Sequence, residues 1–206
     1  MKGGIMENKI YTKDDLPKDL LNEVIEELLS TGYGENEFGY RVFDGGVVTS
    51  IYCRMPNCTG EMLNWWFGTY LCDTPAYKLW SPDHESLRWE NKNEGEFIGA
   101  IEVNEEFGVT RRSHFLDPAE VFDTSRFKEL NINHAQYVLV EHTGVPGRGT
   151  VNLTVCRDTE YGCEYRARYF QIGGTIEGAK RNLKHSIDEN SDLATFLPIL
   201  YSRRNR

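Results

Sequence analysis

The sequence predicts an α+β fold, an antiparallel sheet with a helix laid across it late in the chain. Residues 14–31, and again the chain from about Gly178 onward, carry apolar residues at helical spacing. Between them, from about residue 96, run several segments of alternating polar and apolar residues separated by turn formers. No linker, internal repeat or low-complexity stretch divides the 206 residues, so 1–206 reads as one domain.

The elements follow in order. In DDLPKDLLNEVIEELLST (14–31), Leu16, Leu20, Leu21, Val24, Ile25 and Leu28 share one helical face, and Gly32 is a natural stop. After the glycine-rich link GYGENEFG, RVFDGGVVTSIYCRM reads as two short strands about Gly45-Gly46. Thr59 can cap a short helix, GEMLNWWF, that ends at Gly68, and a loop carries TPAYKLWSPDH. EFIGAIEVNEEFGV is a strand region, followed by RRSHFLDP, AQYVLVEHTG, TVNLTVCRD and GCEYRARYFQIGG. The last helix should end or kink at Leu197-Pro198. A sheet of this kind curls around such a helix and leaves a cavity between them.

Composition narrows the function. Hydrophobic residues at 39% and aromatics at 12% suffice for a core or an aromatic-lined cavity. A net charge of -9 repels phosphate backbones and argues against nucleic acid. The only basic cluster is the tail Arg203-Arg204-Asn205-Arg206, read as a solvated end. No stretch approaches the ~20 apolar residues of a membrane span, and MKGGIMENK lacks the apolar run of a secretory leader. The five cysteines are odd in number and form no CxxC pair, so the expectation is reduced thiols and a cytoplasmic protein.

The stretch LKHSIDE (183–189) poses a chemical problem. At about 100° per residue, His185 and Glu189 fall on one helix face with Leu193 and Phe196. Buried polar groups need partners. The pair is either hydrogen-bonded to itself or half of a metal site, since one turn brings an imidazole nitrogen and a carboxylate oxygen together. His84 is a further candidate ligand. On the strand IGAIEVNEEFG, Ile101, Val103 and Glu105 point one way and Glu102, Asn104 and Glu106 the other. If the Ile101/Val103 face is inward, Glu105 enters the cavity; a one-residue slip substitutes Glu106. The expected set is His84, Glu105, His185 and Glu189. Mixed nitrogen and oxygen ligation suits Zn2+, with Fe2+ or Mn2+ as alternatives.

EMLNWWFGTY followed by AYKLWSPDH resembles the 2,4-diacetylphloroglucinol hydrolase and phloretin hydrolase family. EEFG, FLDPAEVF, RDTEYGCEYRARYFQIGG, and then HxxxE ahead of DLATFLPILY follow in matching order, over roughly residues 40–201. The resemblance implies a helix-grip fold, similar to START-type domains, in which a curved antiparallel sheet wraps a long C-terminal helix. It implies zinc-dependent hydrolysis of the carbon–carbon bond between an acyl group and a phloroglucinol-type ring. It carries the metal ligands onto His84, Glu105, His185 and Glu189, with Glu106 as the alternative to Glu105. Tyr77 and Tyr169 would hydrogen-bond phenolic oxygens. Trp65, Trp66 and Trp80 either wall a flat aromatic pocket or pack in the core. The partner would be a small aromatic or phenolic ketone, and a homodimer is one candidate assembly.

One departure stands out. The family implies a proton-transfer His on the strand before RDTEYGCE, where this chain has Thr154 and Cys156. The remaining histidines, His114, His134 and His142, read as surface or satisfied core residues. Two competing functions stay open: a non-catalytic helix-grip protein binding a hydrophobic ligand, and a metal hydrolase of a different ketone.

Overall fold

A computed structural model describes residues 9–204. Residues 1–8 of the N-terminal segment, and Asn205 and Arg206 of the basic tail, lie outside the described residues. The elements are α1 (Lys18–Leu29), β1 (Gly39–Phe43), β2 (Gly46–Pro56), α2 (Gly60–Trp65), α3 (Thr74–Trp80), β3 (His84–Glu90), β4 (Ile101–Glu106), β5 (Val109–Leu116), β6 (Ile132–His142), β7 (Gly149–Thr159), β8 (Gly162–Ile172) and α4 (Ile176–Ser202). The strands form an 8-stranded sheet in the order β1-β2-β8-β7-β6-β5-β4-β3. Neighbours pair antiparallel throughout. The α2–α3 segment carries the chain from β2 to the far edge at β3, and a meander returns it to β2. This is the expected helix-grip arrangement: one curved sheet and a long C-terminal helix.

Both sheet faces are covered, because alternate residues of each strand point to opposite sides. On the inner face Ile51, Cys53, Met55, Val138, Cys156 and Ala167 pack with Leu193 and Leu197 of α4. On the outer face Val48, Leu139, Val151, Leu153, Val155 and Phe170 pack with Leu21, Val24, Leu28 and Leu29 of α1. The last carbonyls of α1 are satisfied by arginines from the sheet. Arg157 Nη2 donates to Leu29 O (3.2 Å) and Ser30 O (2.6 Å), and Arg166 Nη1 to Ser30 O (3.1 Å). Arg166 and Arg168 are almost fully buried, at 0% and 1% exposure; Glu37, at 2%, pairs with both, and Glu164 and Glu27 supply the second carboxylates.

Several expectations are corrected. The first helix starts at Lys18 rather than residue 14, because Pro17 fixes an extended N-cap, and it ends at a Ser30 cap before Gly32. TPAYKLW is helix α3, not loop: Asp73 accepts from Ala76 N at 2.9 Å, and proline sits in the first turn, where its missing N–H costs nothing. HESLRWE is an unforeseen edge strand. EFIGAIEVNEEFGV is a strand only over Ile101–Glu106. It then turns through Phe107 and Gly108 (φ 52 and 69), the left-handed pair of a two-residue hairpin. Helix α4 runs through Pro198 to Ser202. Pro198 cannot bond the carbonyl four residues earlier, but the Cys58 thiol donates to that oxygen, on Ala194, at 3.9 Å.

Candidate metal centre

The β3–β4 register sets His84 directly opposite Glu106, and α4 brings His185 and Glu189 over the same point. The Glu189 Oε2 oxygen lies 3.5 Å from the Nε2 of both histidines. Glu106 lies 3.7 Å from His84 Nε2 through one oxygen and 3.8 Å from His185 Nε2 through the other. Tetrahedral zinc with bonds of about 2.1 Å separates its ligand atoms by about 3.4 Å, so the His84, His185 and Glu189 donors fit a small divalent ion, and Glu106 stands beside them.

The hydrogen bonds behind the histidines support this. His84 Nδ1 lies 2.8 Å from the carbonyl of Tyr77. A carbonyl only accepts, so Nδ1 carries the proton and Nε2 presents its lone pair. That Nε2 is buried and has no hydrogen-bond partner. His185 Nδ1 lies 3.3 Å from Asp83 Oδ2. Backing of this sort, a carbonyl for one imidazole and a carboxylate for the other, orients metal-binding histidines. Burial pushes the His84 imidazole down to about 4, which keeps it neutral and able to ligate. Burial likewise pushes the Glu189 carboxyl up to about 7.

The family model of the DAPG hydrolase PhiG domain matches residues 20–177. The chain belongs to this family. The DAPG hydrolase assignment makes it a hydrolase-type domain, and the family is metal-associated. Among curated proteins none matches the chain. Among solved structures, norcoclaurine synthase from Thalictrum flavum, in complex with dopamine and hydroxybenzaldehyde, is 13% identical; the match covers 85% of this chain and 95% of that one, with a TM-score of 0.47. Ara h 8.0201 is 10% identical over 73% of this chain and 97% of its own (TM-score 0.48). An uncharacterized Rhizobium leguminosarum protein is 13% identical over 73% and 93% (TM-score 0.43).

Within this DAPG hydrolase domain, a cavity of about 120 Å³ adjoins the four ligand candidates, between the sheet and α4. The expected Glu105 is not among them. The inward face of β4 carries Glu102, Asn104 and Glu106, while Glu105 shares the opposite face with Ile101 and Val103. The apolar pair Ile101/Val103 misled the sequence reading, because this cavity has a polar wall. The Tyr77 hydroxyl donates to Glu106, and its ring stacks on His84 at 3.7 Å between centroids. Arg111 of β5 pairs with the same carboxylate. Tyr169 also lines the cavity, its hydroxyl 3.3 Å from that of Tyr165. Burial holds both Tyr77 and Tyr169 hydroxyls in the protonated form.

Of the three tryptophans only Trp80 lines the cavity; it lies edge-on to His84 (5.2 Å), and its Nε1 donates to Glu189 O (3.2 Å). Trp66 is core, packed on Tyr70, Trp80 and Phe196, and Trp65 lies against Tyr70 and Tyr201. The residues after Trp65 form one turn of π-helix (Trp66–Tyr70), which turns Phe67 into the cavity instead. Thr154 and Cys156 are fully buried, at 1% and 0% exposure, and neither lines the cavity. His134, paired with Cys156 in register, stacks on Phe67 and is held neutral by burial. A second ligand-like group, Cys156, Asp158 and Cys163, is committed to structure: the Asp158 oxygens accept from Gly60 N and Asn133 Nδ2 at 2.7 and 2.8 Å. All five cysteines are free. Among the described residues no helix is long and apolar enough to cross a membrane.

Sequence reasoning missed Glu106 as first choice, Arg111, Asn104 and Phe67. The polar alternation of EVNEE was the available signal for the first and third.

Proposed function

We propose that this chain is a metal-dependent hydrolase that cleaves the carbon–carbon bond between an acyl group and a phenolic, phloroglucinol-type ring. The observation that carries the reading is the convergence of the two histidine Nε2 atoms and the Glu106 and Glu189 carboxylates at 3.5 to 3.8 Å, in a chain of the DAPG hydrolase family. His84, Glu106, His185 and Glu189 are the residues that would hold the ion, with zinc favoured and iron or manganese compatible. The ion would supply Lewis acidity toward an acyl carbonyl oxygen.

The remaining work falls to the cavity. Trp80, Phe67 and Phe115 offer aromatic surface to a flat ring. Tyr77 and Tyr169, kept protonated, offer O–H donors to phenolic oxygens. Arg111 pairs with the Glu106 carboxylate and fixes its position at the cavity wall. In the net reaction water supplies the hydroxyl of the new acid and the hydrogen of the ring carbon. The broken bond's electron pair leaves on the ring, which can hold it because the ring hydroxyls allow a keto tautomer. Cytoplasmic residence is consistent with the five free thiols.

The test is to incubate the metal-loaded protein with acetylphloroglucinol and follow products by chromatography. The reading predicts phloroglucinol and acetate in equal amounts, and no products from His185→Ala. Intact substrate, or cleavage undiminished in His185→Ala, would sink it.

A further inference from the structure

A second cavity of about 450 Å³ opens at the mouth of the first, between the β4–β5 turn, the β6–β7 turn and the first turns of α4. The two spaces are continuous, sharing Arg111, Val140, Asn152, Tyr169 and Asn182 in their walls. The mouth carries three guanidinium groups, Arg111, Arg148 and Arg181, and no Asp or Glu among its lining residues. This is the reverse of the chain as a whole, whose net charge is -9. Among the described residues, the side chains of Arg148 and Arg181 take part in no ion pair or hydrogen bond to the protein. Arg111 spends Nη1 on Glu106 but leaves Nε buried without a partner. Asn152 Oδ1, at the junction of the two spaces, is buried and unpartnered as well.

A cleft lined by one sign of charge, with low-dielectric walls, concentrates the opposite sign. Guanidinium forks match planar carboxylates. We propose that this mouth is an anion subsite, and that the substrate is an acylphenol bearing a carboxylate on the portion that projects out past Arg111 toward Arg148 and Arg181. The inference rests on the acyl–aryl reading for the inner cavity and adds the chemical class of the group outside it. Neutral acylphenols, which satisfy the inner cavity alone, would still be cleaved but with a higher KM, since electrostatic attraction raises the encounter rate for the acid.

The test uses a probe that cannot be cleaved, trihydroxyphenylbutanoate, in which a methylene replaces the ketone, and its methyl ester. Both are titrated calorimetrically into the metal-loaded full chain. The acid is expected to bind about ten-fold more tightly than the ester at low salt. The preference should fall toward unity at high salt and in the double variant Arg148→Gln/Arg181→Gln, whose retained metal content reports a folded protein. Equal binding of acid and ester overturns the proposal, as does a preference that survives the double variant, or no binding of either. The outcome is separable from that of the proposed reaction. Acetylphloroglucinol has no carboxylate, so failure to cleave it, with the acid preference intact, would remove the carbon–carbon chemistry and leave the anion subsite standing.

Discussion

Glu189→Gln should stabilise the metal-free protein while destroying its metal site. The Glu189 carboxyl is 8% exposed, and burial raises it from the ordinary 4.5 to about 7. A folded-state value above the unfolded one means the folded chain holds the proton more tightly. The penalty is therefore absent below pH 4.5, grows as pH rises through the interval to 7, and is constant above it. At 1.36 kcal/mol per unit it reaches about 3 kcal/mol at pH 8. Glutamine carries no such penalty. Urea denaturation with a chelator present should show the variant about 3 kcal/mol more stable at pH 8, or about 6–12 °C higher in Tm, and nearly equal at pH 4.5. Saturating metal should reverse the order, since an ion at a thousand times its Kd adds about 4.1 kcal/mol to the wild type alone. A variant no more stable than wild type at pH 8, or a gap indifferent to pH, would refute the claim that Glu189 is a desolvated carboxylate held at a cost in the folded chain.

The two neighbouring glutamates should separate cleanly: Glu106→Gln should weaken metal binding at least about 100-fold, while Glu105→Gln, on the opposite face, should match wild type in a competition titration with a metal-sensitive dye. Glu37→Ala removes the most deeply buried carboxylate paired with Arg166 and Arg168, leaving each a single partner, Glu164 and Glu27, and should cost about 3 kcal/mol in chemical denaturation without changing metal stoichiometry. Pro198→Ala restores an N–H for the Ala194 carbonyl and should raise stability by up to about 3 kcal/mol; a loss of stability would mean that the proline ring packs in a way the Cys58 contact does not reflect.

The architecture was legible because it depends on periodicity. The β6–β8 segments, the β1–β2 hairpin at Gly45-Gly46 and both flanking helices declare themselves through alternation, glycine placement and the 3.6-residue repeat. The halves of the site on helix α4 were legible for the same reason: His185 and Glu189 are one turn apart and face inward together. The strand half was harder. Choosing Glu105 over Glu106 required knowing which face of β4 is inside, and the usual rule, apolar inward, inverts at a polar cavity wall. The roles of the tryptophans were hidden for another reason. A single π-turn shifts the residues after Trp65 out of helical register, so Phe67 and not Trp65 or Trp66 faces the cavity. Helix α3 was hidden by its length: seven residues show no periodicity, and the decisive signal is the Asp73 cap with proline in the first turn.

The most direct measurement is activity on acetylphloroglucinol as metal is titrated back into stripped, tag-free protein, with metal content determined on the same samples. The account predicts no cleavage in the stripped protein and a linear rise that levels off at about one ion per chain. Cleavage that persists after stripping, or metal that binds at that stoichiometry without restoring any, would contradict it.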